Sequence, residues 1–199
     1  MDVKYLWYLP EDALNAEYRK LCKLHHPDIA GENGDTFAEL TDTYERIKGY
    51  RKLPIDIDLS ISMSEIYHGC IKDIVVPDPV DNLNKQILAL KVPRGVMDGT
   101  ILSLTTKELR KVHVTIKEVN DTKFFRDGYN LIVHLDLTID QVLRGDSMVM
   151  GHFNNVVNIP TKIPHSNYRH IIIGLGMPID ENKYGDLYVV YNVVFNHNH

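Results

Sequence analysis

The hydrophobic period of this chain changes once, at Pro54, and that change restricts it to a helical head followed by a β body. Ahead of the break, Leu14, Tyr18, Leu21 and His25 recur at three- and four-residue steps. Phe37, Leu40, Tyr44 and Ile47 do the same, which is the stripe a helix needs to bury one face. After it, IDIDLSISM sets Ile55, Ile57, Leu59, Ile61 and Met63 against Asp56, Asp58, Ser60 and Ser62, the period of a strand with one buried face. Between the two helical runs lies LCKLHHPDIAG (21–31), where Pro27 stops the first helix because it has no N–H and pushes its predecessor out of helical geometry. AGENGD then turns the chain, and Thr36 with Glu39 three residues on predicts a capping box. Residues 11–49 are expected to form an antiparallel helical hairpin, with Tyr5, Leu6, Trp7 and Leu9 as a short stub covering it. Arg19, Lys20 and Lys23 fall on its outward face.

The β body carries an internal repeat. DLSISMSEIYHG (58–69) and DLTIDQVLRG (136–145) each read as a strand, a helical turn and a glycine. Each is followed by a strand and then a Val-Pro or Ile-Pro dipeptide, in LKVPRG (90–95) and VNIPTK (157–162), before another apolar strand. A spacing of about 75 residues is too long for a solenoid unit, so two tandem β-sandwich-like domains are expected. Further strands are expected in CIKDIVVPD, LNKQILALKVP, GTILSLTT, KVHVTIKEV, NLIVHLDLTI, SMVMG, RHIIIGLG and GDLYVVYNVVF.

Bulk properties exclude several classes. A net charge of -5 argues against a nucleic-acid binder, and no apolar run reaches membrane-spanning length. The N-terminus MDVKYLWYLPED lacks the regions of a secretory signal. Cys22 and Cys70 form no CxxC pair, so they are expected as small buried hydrophobes in a reducing compartment, with cytosol the default. Cys22, His25 and His26, or the terminal HNH, could suggest a metal, but zinc needs a complete tetrahedral set and no fourth ligand is evident. No metal and no cofactor are expected. Acid–base catalysis by His26 and Asp28 is disfavoured because a rigid proline separates them and no nucleophile is near, so the chain is not expected to be an enzyme.

His26-Pro27-Asp28, with AEYRKLCKLHHPD (16–28) before it and TFAELTDTYERI (36–47) after it, resembles the second and third helices of a J-domain co-chaperone of the DnaJ family. The β body resembles that family's two C-terminal client-binding domains. Leu59 to Gly69 fits the first strand and its short helix, VPRGVMDG (92–99) the Ile-Pro-x-Gly-Val turn, and FRDGYNLIV (125–133) the linker into the second domain. GLGMP (174–178) and YGDLYV (184–189) resemble the closing strands. Only MDVKYLWYLP stands where the family's first helix belongs, no glycine/phenylalanine-rich linker or zinc-binding insertion is present, and only NHNH follows Phe195. The resemblance therefore implies an α+β fold: a truncated J-domain helical hairpin (1–52) followed by two tandem DnaJ C-terminal-type β-sandwich domains (53–120 and 121–199). It also implies a zinc-free member and, without the family's dimerisation helix, a monomer.

The resemblance implies the site residues as well. His26, Pro27 and Asp28 would contact a DnaK-type ATPase chaperone, and Arg19, Lys20 and Lys23 would steer the encounter towards an acidic surface. By themselves those three cations read as a solvated helix face. Ile57, Leu59, Ile74, Val76 and Leu88 would line a groove for extended client polypeptide, and Lys72 would engage the partner chaperone's acidic tail. Alternating Ile and Leu on a strand is first of all core. The function implied is that of a co-chaperone which binds unfolded clients, delivers them to the ATPase and stimulates its ATP hydrolysis. The alternative is a client-holding or assembly-binding module whose trimmed J region no longer stimulates that ATPase.

Overall fold

The computed structural model describes residues 3–26, 35–80, 85–153, 155–162 and 169–194. Pro27, Asp28, the turn at 30–34 and the terminal histidines lie outside the described residues. A 3₁₀ turn at Lys4–Tyr8 precedes α1 (Glu11–Leu24) and α2 (Asp35–Lys52), and then β1 (Ile55–Ser62), α3 (Met63–His68), β2 (Cys70–Pro77) and β3 (Lys85–Val92). The chain continues through β4 (Ile101–Thr105), β5 (Lys111–Val119), β6 (Phe125–Asp127), β7 (Asn130–Thr138) and α4 (Ile139–Arg144). It ends with β8 (Ser147–His152), β9 (Asn155–Pro160), β10 (Arg169–Ile172) and β11 (Leu187–Val194). The sheets are ordered β1-β5-β4, β2-β3, β10-β11-β7-β6 and β8-β9. The fold is thus α+β, helices first and sheets after, as the change of period at Pro54 predicts.

The chain divides into two compact units that interleave in sequence: 1–59 with 72–90 and 101–115, and 60–71 with 91–100 and 116–199. In the first, Leu14 and Leu21 of α1 and Leu40 and Ile47 of α2 share a core with Val3, Leu6 and Trp7. The N-terminal stub therefore does cover the hairpin. Tyr18 and Tyr44 stack across it at 3.9 Å, and the Tyr44 hydroxyl donates to Asn15 Oδ1 at 2.7 Å. Two boundaries differ from the sequence reading. α2 begins at Asp35, so Thr36 lies inside its first turn, where the Asp35 carboxylate complements the positive end of the helix. It runs on to Lys52, with Arg51 and Lys52 in the last turn opposite the exposed carbonyls and Pro54 two residues further on.

Both copies of the repeat fold alike at their short helices. Ser62 accepts from the Glu65 N–H and Thr138 from the Gln141 N–H, each with the reciprocal bond of a capping box. Each helix stops at a glycine with positive φ, Gly69 at 74° and Gly145 at 65°. Burial separates them: Met63, Ile66 and Tyr67 are buried, whereas α4 buries none of its residues.

Within the second unit, the Arg126 side chain is 8% exposed and every arm of its guanidinium is used. Nε donates to the Gly128 carbonyl at 2.8 Å, Nη1 to Val96 O at 3.0 Å and to the Glu118 carboxylate, and Nη2 to Gly95 O at 2.8 Å. Arg126→Ala would leave the Glu118 carboxylate, 13% exposed, without its counter-charge; we expect a loss of about 3–5 kcal/mol in urea denaturation. Arg126→Lys should recover less than half of it, because an ammonium has no planar fork.

The same unit holds a buried histidine. His152 Nε2 lies 2.9 Å from the Leu175 carbonyl, and its ring sits edge-on among Phe153, Phe124 and Tyr67 at 5.0, 5.3 and 5.7 Å. Nδ1 is buried without a hydrogen-bond partner among the described residues. Burial pushes the imidazole below its ordinary range, against smaller opposing contributions from the backbone carbonyls, and Lys123 adds to the lowering. A depressed histidine means that the unfolded chain binds more protons. The stabilisation is complete above the unfolded value of about 6.5 and is lost as pH falls through the lowered folded one. The urea midpoint should therefore drop more steeply between pH 7.5 and 5 for the wild type than for His152→Gln; parallel profiles would contradict this assignment.

Candidate functional site

Two surfaces of the first unit carry the sequence-predicted residues. One is the corner at the end of α1. The helix closes at His25, whose N–H donates to Leu21 O at 3.0 Å, and the chain then leaves helical geometry. His26 is exposed, with its ring 5.8 Å from Phe37 of α2 in an edge-on contact. An aromatic brace of this kind limits the rotamers of a surface imidazole without burying its nitrogens. Pro27 and Asp28 lie outside the described residues, so of the tripeptide His26 alone has a described position. Arg19, Lys20 and Lys23 are exposed along α1, and Lys20 reaches Glu17 at 3.4 Å with its own side chain 74% exposed. A pair so open to water contributes about 0–1 kcal/mol, so the three cations act through their field.

The other surface is the sheet edge formed by β1. In the order β1-β5-β4, β1 has a neighbour on one side only among the described residues. Its inward residues Ile55, Ile57 and Leu59 are half-buried, while the outward Asp56 and Asp58 are exposed. A strand with one unpaired edge and an incompletely covered apolar face offers backbone groups and side-chain pockets to an extended chain. The remaining groove residues divide. Leu88 and Lys72 are half-buried, whereas Ile74 and Val76 are 3% and 1% exposed. The latter two meet core neighbours first and can offer a ligand little surface.

Sequence reasoning missed the seam that ties the end of α2 to the N-terminal turn and to the segment between β4 and β5. Arg51 donates from Nη2 to Trp7 O and from Nε to Glu108 O, both at 2.7 Å. Arg110 donates to Leu53 O at 2.8 Å and lies over the Tyr50 ring at 4.5 Å. Glu108 is fully buried, with the Gln86 amide donating to its Oε2. The only hint in the sequence is the basic segment KGYRKLP, which reads equally well as a solvated linker. Among the described residues no cluster of His, Cys, Asp and Glu could hold a metal ion, and no helix is long and apolar enough to cross a membrane.

The family model of the DnaJ C-terminal domain matches residues 55–196, from the first residue of β1 past the end of β11. The chain is 27% identical over 142 residues to the chaperone protein DnaJ of Deinococcus proteolyticus, covering 70% of this chain and 44% of that protein. It is 24% identical over 159 residues to DnaJ homolog subfamily B member 13 of Homo sapiens, covering 71% of this chain and 50% of that protein. The chain thus spans about half the length of the curated relatives it matches.

Proposed function

The chain belongs to the DnaJ C-terminal domain family, and from that membership we propose that it is a co-chaperone that holds unfolded polypeptide for a DnaK-type ATPase. The observation that carries the client half of this reading is the unpaired edge of β1 with Ile57 and Leu59 half-buried behind it. An extended client adds there as a further strand, its main chain hydrogen-bonding to β1 and alternate side chains meeting the apolar face. Of the other groove residues, Leu88 is half-buried and can add apolar surface, whereas Ile74 and Val76 are core, and half-buried Lys72 is kept for the partner chaperone's acidic tail. The fold itself supports this choice of edge, because β7, which stands in the second copy of the repeat where β1 stands in the first, is paired by β6 at Phe125–Asp127.

The chaperone half rests on the corner. Arg19, Lys20 and Lys23 steer it to an acidic surface, raising the on-rate more than the affinity. His26, braced by Phe37, makes the directed polar contact, with Pro27 and Asp28 completing the tripeptide. ATP hydrolysis belongs to the partner, and this chain supplies no reacting group. It acts in the cytoplasm, with no cofactor and no metal.

Two measurements separate the halves. His26→Gln should raise the concentration needed to stimulate ATP turnover by a DnaK-type chaperone by about ten- to a hundredfold, the value of one charge-assisted contact. Unchanged stimulation would reject docking through the corner and leave the client-holding reading. Leu59→Thr keeps a strand-forming residue while removing the apolar surface, so it should cut protection of an aggregating client and leave turnover unchanged. Undiminished protection with an unchanged melting temperature would reject β1 as the client edge. Ile74 is unsuitable for this purpose, since truncating so buried a side chain costs about 2–5 kcal/mol of stability by itself.

A further inference from the structure

The Arg126 guanidinium has five N–H groups, and four of them meet oxygen: the carbonyls of Gly128, Val96 and Gly95 and the Glu118 carboxylate. The fifth, on Nη2, donates at 3.0 Å to the Met97 sulphur. A thioether is a weak acceptor, so the last donor of a buried cation has the poorest partner of the five. Met97 is also open to solvent. It is 39% exposed and, with Asp98 and Asn120, lines a cavity of about 380 Å³ beside the guanidinium. Met63, Met150 and Met177 are buried and Met148 is half-buried, so Met97 is the most accessible of the described methionines.

We propose that Met97 is a site of peroxide modification whose sulfoxide tightens the bonding around Arg126. A thioether sulphur has two lone pairs; one accepts from Nη2, and the other remains for an oxidant that enters through the cavity. Attack on hydrogen peroxide forms the S–O bond and breaks the O–O bond, oxidising the sulphur by two electrons. The departing hydroxide takes the proton from the transferred oxygen and leaves as water. The sulfoxide oxygen carries far more negative charge than the sulphur it replaces as acceptor. Methionine is unbranched and freely rotating, so a turn about Cγ–Sδ brings that oxygen to Nη2. All five N–H groups then meet oxygen.

Oxidation of methionine ordinarily loosens a fold, because a polar oxygen enters an apolar core. Buried Met63, Met150 and Met177 are in that position, and their burial also delays the reaction. Met97 is in the opposite one. Its sulphur already lies against a guanidinium and partly in water, so the new oxygen gives up little hydration and gains a charged donor. The order of reaction and the sign of the stability change therefore both single out this residue.

Brief treatment of the full chain with hydrogen peroxide tests this, followed by a thiol reductant that restores Cys22 and Cys70 but leaves a sulfoxide. Peptide mapping by mass spectrometry should find the added oxygen at Met97 about tenfold sooner than at Met63, Met150 or Met177. The urea midpoint of the chain oxidised at Met97 should rise, with an unfolding constant about three- to tenfold smaller. Met97→Leu should show no rise after the same treatment. Met97→Gln, whose amide oxygen stands in for the sulfoxide, should exceed Met97→Leu in midpoint without any peroxide. Oxidation of the buried methionines as fast as Met97 would overturn the proposal, as would a lower or unchanged midpoint of the Met97 sulfoxide. A rise that survives in Met97→Leu, or a Met97→Gln no more stable than Met97→Leu, would overturn it equally.

Discussion

A guanidinium removed from water has to recover its hydration from the protein, and Arg126 can do so only when several distant stretches of chain are in place together. It needs the carbonyls of Gly95 and Val96 in one turn, that of Gly128 in another, and the Glu118 carboxylate on β5. Gly95 extends the linkage. Its N–H donates to Ile66 O at the end of α3, its φ is +70°, and a Cβ there would lie 1.8 Å from the Pro178 carbonyl oxygen. Side chains avoid that φ and cannot occupy that space, so only glycine allows the turn, α3 and the Pro178 segment to meet. Such a hub is all-or-none: each acceptor fits only if the others already hold the fork in plane. Order in this unit therefore propagates from a single side chain to loops that no hydrophobic pattern specifies.

A repeated plan is most informative where the copies part. Both begin with a strand, a capping box, one short helix and a glycine, yet α3 is buried and α4 is not. The substitutions that distinguish them are modest: Tyr67 is 9% exposed and stacks on Phe153 at 3.9 Å, while Leu143 at the matching place is 79% exposed. Phe153 is held at a φ of 48°, an uncommon value for a bulky residue, and its stacking on Tyr67 offsets the strain. The copies differ again at the sheet edge, because β6 pairs with β7 and nothing comparable pairs with β1 among the described residues. Had β1 been capped in the same way, Ile57 and Leu59 would be ordinary core.

These differences explain what could be read from the sequence. Periodicity marked out the hairpin and the strands other than β6, since burial on one face writes itself as a period of 3.6 or 2, and the internal repeat marked out the two short helices. It could not separate Ile57 from Ile74. Both are inward-facing on their strands, yet one is half-buried and the other 3% exposed, a distinction that depends on which strand stands at an edge and thus on topology. Nor could it find the apolar row of Phe125, Ile132, Tyr188 and Ile171, whose members lie on four strands between positions 125 and 188 and meet only through register. His152 was equally silent: one histidine in SMVMGH carries no local sign that a ring cluster will enclose it.

The seam beside α2 shows the same limit in energetic form. Two residues join α2 to β1, so the hairpin has almost no slack, and the charged bonds that fasten it to the rest of the first unit are those of Arg51 to Glu108 O and of Arg110 to Leu53 O. Each such charged hydrogen bond contributes about 1.5–3 kcal/mol. Against them stand the Tyr50 hydroxyl and Glu108 Oε1, both buried without a hydrogen-bond partner among the described residues, at about 1–3 kcal/mol each. Gains and penalties of similar size leave a small net hold, so opening of this seam costs less than opening the apolar hairpin core of Leu14, Leu21, Leu40 and Ile47. The hairpin is thus internally firm, and what fastens it to the rest of its unit is a seam of small net stability.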